Sequence, residues 1–136
     1  MGIPPKERYG HCLHYLKTSK LLVVYGGRND SLFGTYGSCC LKDIKVLDLK
    51  YMAWCKVKIG GLQPKARYNF SSFYHSNFWF NLLEENIYMI GGVSDNNYVA
   101  GEVYTLETNE TEAFRIILNQ GKRPRNVFQN PLNNED

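Results

Sequence analysis

The sequence predicts an all-β protein built from two copies of one unit. Three observations carry that expectation. The opening phrase "GIPPKERYG" (Gly2 to Gly10) returns as "GLQPKARYN" (Gly61 to Asn69), both reading G-x-x-P-K-x-R-Y, 59 residues apart. The strongest apolar run of each copy is short and ends in a double glycine: "LLVVYGG" (Leu21 to Gly27) and "IYMIGG" (Ile87 to Gly92). No segment sustains a 3.6-residue apolar period; "NFWFNLLEEN" reaches at most one short turn.

Each strand follows in order. The first is "HCLHYL" in the first copy and "FSSFYH" in the second. The second, "LLVVY" or "IYMI", is continuously apolar, as expected of a strand covered on both faces. The third, "IKVLDL" or "VYTLET", is mixed and opens after Asp43 or Glu102, again 59 apart. The fourth is "WCKVKI" or "FRIIL", with Phe114 in the place of Trp54. In that strand Trp54, Lys56 and Lys58 are expected to face away from Cys55, Val57 and Ile59. Residues 1–60 thus form the first unit and 61–120 the second. Residues 121–136 begin with "GKRPRNV", the start of a further unit or a tail.

The copies differ in their connections. Arg8 to Gly26 spans 18 residues and Arg67 to Gly91 spans 24, so the second copy carries six extra residues within "SNFWFNLLEEN" (Ser76 to Asn86). It recovers by shortening "RNDSLFGTYGSCCLK" (Arg28 to Lys42) to "VSDNNYVA" (Val93 to Ala100). Gly26-Gly27 and Gly91-Gly92 are expected at positive φ, where a buried strand must turn sharply. Arg8 and Arg67 are expected to reach carbonyls or carboxylates between adjacent units, because a lone buried guanidinium is costly.

Composition narrows the function classes. A 43% hydrophobic, 14% aromatic chain with 12 glycines is that of a folded protein. The net charge of +3 is scattered rather than massed. Pro4, Pro5, Lys6, Glu7 and Arg8 interrupt any leader-like apolar run, and no run approaches the roughly 20 residues of a membrane helix. A cytoplasmic protein is expected. Adjacent Cys39-Cys40, with Cys12 and Cys55 apart from them, lack metal-ligand spacing, so reduced thiols are expected. The two sequons at Asn69 and Asn109 are discounted on the same ground as a leader.

A strand ending in Gly-Gly, then D-I-x-V-L-D, then a Trp some six residues later resembles the kelch repeat. Pro5, Arg8, Gly10 and His11 also match the P-x-x-R-x-G-H that precedes it there. The second copy departs by Asn69 and Phe70 in place of Gly and His. The resemblance spans essentially the whole chain and implies kelch-type β-propeller blades, each a four-stranded antiparallel sheet. It makes Pro5, Arg8, Gly26, Gly27, Asp43 and Trp54 a structural signature, repeated as Pro64, Arg67, Gly91, Gly92 and Phe114. Two units and part of a third cannot close a ring of four to eight blades, so a partial propeller is expected: a piece of a longer chain in the first place, or else a chain that assembles with others carrying blades, or a truncated protein that docks on a partner.

Catalytic motifs are not apparent, and Glu84-Glu85 and Glu135-Asp136 read as solvated loop neighbours. Copper-binding oxidase relatives of the kelch fold give no assignable site here. No enzyme activity, cofactor, metal, nucleic acid, membrane or small-molecule substrate is therefore expected. Propellers usually bind through loops. One face is expected to gather Arg28, Lys42, Lys65, Arg123 and Arg125 with Phe33 and Tyr36 as a cradle for an acidic peptide. On the opposite face, Phe78, Trp79 and Phe80 in the six-residue insertion are either folded under the unit or an exposed anchor.

The function this implies is a non-catalytic protein–protein interaction module, a scaffold or adaptor in a larger assembly, with a cytoskeletal or ciliary setting open. Its partners would be proteins, including further propeller blades in the same or another chain. The alternatives are the substrate-recognition part of a ubiquitin ligase, or the accessory propeller of a kelch-fused enzyme such as a phosphatase.

Overall fold

The computed structural model describes residues 2–32, 39–79, 82–95, 101–110 and 113–119. Strands β1 (Cys12–Leu16), β2 (Leu21–Tyr25), β3 (Ile44–Asp48) and β4 (Ala53–Cys55) form a four-stranded antiparallel sheet in that order. Strands β5 (Lys58–Gly61), β6 (Ser71–Trp79), β7 (Leu82–Ile90), β8 (Val103–Glu110) and β9 (Ala113–Asn119) form a second sheet, ordered β5-β9-β8-β7-β6. Among the described residues the one helical element is a single 3-10 turn, Asp30–Leu32. The all-β expectation holds.

Two local expectations are corrected. The fourth strand of the first copy does not run unbroken from Trp54 to Ile59. It stops at Cys55, and the chain crosses at Lys56 and Val57 so that β5 pairs parallel with β9 of the second sheet. The second sheet therefore has five strands rather than four. The insertion after Ser76 is also not a loop. It lengthens both strands of a hairpin, keeping register from Ser71↔Ile90 out to Trp79↔Leu82. Nine-residue strands form because each added residue finds a cross-strand partner, which a sequence window cannot register.

The repeat itself is expressed in the backbone. Tyr9 and Arg28 exchange both amide bonds (3.0 and 2.8 Å), and Tyr68 and Val93 do the same (3.0 and 2.9 Å). All four paired glycines lie at positive φ: Gly26 at 69°, Gly27 at 106°, Gly91 at 74° and Gly92 at 97°. A Cβ on Gly26 would stand 2.8 Å from the Phe70 ring and 3.0 Å from the Arg67 carbonyl oxygen. The turn thus needs glycine for both conformation and space. Gly10 (φ 69°) is replaced in the second copy by Asn69 (φ 54°), a residue that tolerates the left-handed region.

Face-to-face packing of the two sheets makes the core. Registers place Cys12, Leu16, Leu21, Val23, Tyr25 and Val46 on one side of the first sheet. They meet Ile87, Met89, Tyr104, Leu106, Phe114 and Ile116 from the second sheet, all at most 7% exposed. The opposite face of the first sheet carries Leu13 (54% exposed) and Tyr15 (43%) beside half-buried Trp54. The copy-equivalent faces are therefore unequally covered. Trp54 is half-buried and its counterpart Phe114 is 2% exposed because the first sheet covers the second sheet's equivalent face.

Polar groups stitch this interface. His14 Nε2 lies 2.7 Å from Ser72 Oγ, and the Thr18 amide donates to Glu85 Oε2 (3.3 Å). Glu85 was expected as a solvated loop residue. It is instead 5% exposed within β7, where Tyr74 donates its hydroxyl proton to the carboxylate at 2.6 Å. A carboxylate so enclosed needs those donors.

Candidate functional site

The P-K-x-R phrase builds one wall of a groove. In both copies the arginine folds back on the lysine two residues before it: Arg8 Nε donates to the Lys6 carbonyl (2.9 Å), Arg67 Nε to that of Lys65 (3.0 Å). Each guanidinium also binds the carbonyl that ends its own apolar strand, Gly26 (3.1 Å) and Gly91 (3.0 Å). These partners lie within the arginine's own unit, correcting the expectation that Arg8 and Arg67 bridge adjacent units. At these turns the units meet through the backbone: the Gly27 amide donates to the Arg67 carbonyl (2.9 Å) and the Asn69 amide to that of Gly10 (2.9 Å).

A second wall comes from Cys40 to Asp43, just before β3. Its turn is clamped by Asp95 of the second unit, whose Oδ1 accepts from the Cys39 and Cys40 amides (2.9 and 3.1 Å). The Leu41 amide donates to the Gly27 carbonyl (2.8 Å). Between these walls lies a groove of about 630 Å³. Ile3, Pro4, Leu32, Leu41 and Ala66 supply apolar lining, and Lys6, Lys42, Lys45 and Lys65 bring four ammonium groups.

Among the described residues the charge of the lining is mostly basic. Asp43 is the one acidic side chain of the described lining, and Arg8 binds it through Nη1–Oδ1 (2.6 Å) and Nη2–Oδ2 (3.0 Å). Its charge is thereby matched by a guanidinium and does not offset the lysines. Cys40 also lines the groove. Burial, then the nearby Asp95, pushes its thiol up to about 12, so it remains a neutral, weakly nucleophilic wall at neutral pH.

The predicted site residues fall into three groups. Lys42 and Lys65 both line the groove. Arg28 is not with them: Asp30 (2.6 Å) and the Tyr68 hydroxyl (3.2 Å) hold its guanidinium, which sits 5.1 Å over the Tyr68 ring. Phe33, Tyr36, Phe80, Arg123 and Arg125 lie outside the described residues. In the lengthened hairpin, Trp79 pairs with Leu82 near the tip, and Phe78 is 68% exposed. The Trp79–Leu82 pair is at the end of the hairpin remote from Gly91.

Sequence reading missed Lys6, Lys45 and Asp95. A signal existed for Lys6, which occupies the same repeat position as Lys65. None existed for Lys45 or Asp95, which reach the site through pairing and loop placement. It also missed a second exposed surface. On the outer face of the second sheet, Phe73 stacks on Tyr88 (centroids 4.9 Å apart, planes at 18°) beside Ile90, with Phe73 48% and Ile90 40% exposed.

No model of a known protein family matches this chain, and no curated protein does. Among the described residues, no cluster of His, Cys, Asp or Glu is arranged to hold a metal ion, and no helix is long and apolar enough to cross a membrane.

Proposed function

We propose that this chain is a non-catalytic protein-interaction module of kelch-type propeller blades, a scaffold or adaptor whose uncovered sheet face takes another sheet of the same kind. One relationship carries the reading. The face of the first sheet that holds His14, Val23 and Tyr25 is covered by the second sheet. The copy-equivalent face of the second sheet holds Phe73, Tyr88 and Ile90, of which Phe73 and Ile90 are exposed and Tyr88 is half-buried. The first sheet in turn leaves exposed, at Leu13 and Tyr15 beside half-buried Trp54, the side equivalent to the one it covers on its neighbour. Such a head-to-tail contact leaves a donor face at one end and an acceptor face at the other. Exposed aromatic and aliphatic surface of this kind favours burial against a partner.

For the 136-residue chain in isolation, the available partner is a second copy, its Leu13–Tyr15 face laid on Phe73 and Ile90. Native mass spectrometry and sedimentation velocity test this. Concentration-dependent species above 15.7 kDa are expected, reverting to monomer in a Phe73→Asp, Ile90→Asp variant. A soluble monomer that unfolds cooperatively at all concentrations would overturn it.

A further inference from the structure

We infer that the groove between the two units is a binding site for an acidic peptide segment carrying an apolar anchor residue. This rests on the reading of the chain as a protein-interaction module and names the ligand chemistry of a site separate from the open sheet face. Three observations point to it. The volume of about 630 Å³ is in the range of ligand clefts and exceeds what a single ion fills. Four lysines line it, Lys42 and Lys65 exposed among them, while the one carboxylate of the described lining is paired with Arg8. Aliphatic side chains, Ile3, Leu32 and Leu41 in particular, supply most of the rest of the described lining.

Each feature selects against other anions. Single-stranded nucleic acid gains its affinity from phosphate pairing together with stacking of bases on aromatic rings. Among the described residues, none that lines the groove is aromatic. A lipid bilayer presents its anionic headgroups as a broad surface, which a concave site between two loop walls does not meet. A free inorganic anion satisfies the lysines and leaves the aliphatic lining wet. An extended peptide does both jobs: glutamate or aspartate side chains reach the ammonium groups at the rim, and a leucine-sized side chain between them displaces water from the aliphatic lining.

Lysine suits this role. Its ammonium is a compact charge on a flexible stem, so it accepts carboxylates from a range of directions without the fixed geometry of guanidinium. The backbone beneath is rigid by contrast, since Arg8 and Arg67 fix the carbonyls of Lys6 and Lys65 and Asp95 fixes the Cys40 turn. The site thus combines a preformed wall with adaptable charged tips.

The test is fluorescence anisotropy with a labelled Glu-Glu-Leu-Glu-Glu probe on the full chain. Binding is expected to weaken as salt rises, and to fall at least about tenfold in a Lys42→Glu, Lys65→Glu variant, in line with reversal of rim charges. Both side chains are exposed, so the variant should unfold at the wild-type midpoint, and Ala66→Phe provides a second probe that fills the groove without altering charge. A Glu-Glu-Gly-Glu-Glu probe should bind more weakly than the leucine probe. The Phe73→Asp, Ile90→Asp variant should keep peptide binding while losing self-association, which separates this inference from the proposed function. The inference is overturned by equal affinity for the glycine and leucine probes or by unchanged binding in the charge-reversed variant. Tighter binding of an oligonucleotide or of anionic vesicles than of the peptide would overturn it as well.

Discussion

Arg8 grips Asp43 at two points, 2.6 and 3.0 Å, whereas Arg67 at the matching position forms no such pair with Glu102. The Arg8 side chain is 3% exposed and that of Asp43 37%. Arg67 instead lies 5.3 Å from the centre of the Tyr104 ring, and Glu102 Oε1 is buried without a hydrogen-bond partner among the described residues. One methylene in the acidic residue thus accompanies a different fate for the same arginine.

The first prediction uses that asymmetry. Asp43→Asn leaves a buried guanidinium without its counter-charge and should cost about 2 kcal/mol, below the figure for fully buried pairs because Asp43 is partly solvated. Glu102→Gln removes no ion pair and should change stability by less than about 0.5 kcal/mol. Urea unfolding of the two variants checks the contrast; equal losses would contradict it.

Asn69 carries the left-handed turn that glycine carries in the first copy. Asn69→Gly should therefore be close to neutral, and Asn69→Ala should cost about 1 kcal/mol, because alanine gains nothing at positive φ. Gly10→Ala should be worse, since its Cβ would stand 2.6 Å from Asn69 Oδ1. The order of thermal midpoints is the readout.

Alkaline pH should weaken the fold through Cys12. Burial pushes its thiol from 9.0 up to about 11, so the folded state favours the neutral form. That contribution is fully present below pH 9 and is lost as the pH rises through 11, amounting to roughly 2–3 kcal/mol at full ionisation. The Tyr25 hydroxyl is raised for the same reason and acts in the same direction. Cys12→Ala should flatten the fall in the denaturant midpoint between pH 9 and 11.

Acid should act through His14 at the contact between sheets. Burial lowers its pKa below 6.5, so the folded state binds fewer protons than the unfolded chain as the pH falls past that value. Stability is present above 6.5 and is lost on the way down to the folded value. His14→Gln keeps a group able to bond Ser72 and should remove this part of the acid dependence, measured as midpoint against pH.

Much of the framework was legible because it depends on local chemistry. A run such as Leu21–Tyr25 has no polar face to expose, so it must be covered; in the structure all but Leu22 are at most 7% exposed. Its equivalent, Ile87–Ile90, follows the rule on one side alone: Ile87 is fully buried and Ile90 is 40% exposed. Nothing within those four residues distinguishes the faces. The difference lies in what stands next to the sheet.

The groove was legible in half. Lys42 and Lys65 could be put on one face through the blade geometry that the kelch resemblance implies, but Arg28, equally basic and in the same loop, is bound by Asp30 and Tyr68. Competition between partners for one guanidinium is settled by distance in three dimensions.

By itself, then, the sequence determined the repeat, its register, the all-β character and the positive-φ turns at the paired glycines, because side-chain periodicity and backbone sterics act within a few residues. The tertiary structure decided where strands end and which sheet they join. Lys58–Gly61 leaves the sheet of its own copy for β9, and the inserted residues after Ser76 become a longer hairpin. It also decided which of two equivalent faces is covered and which lysines share a groove. Those outcomes depend on hydrogen-bonding edges and charges finding partners far along the chain, and no local window contains both members of such a pair.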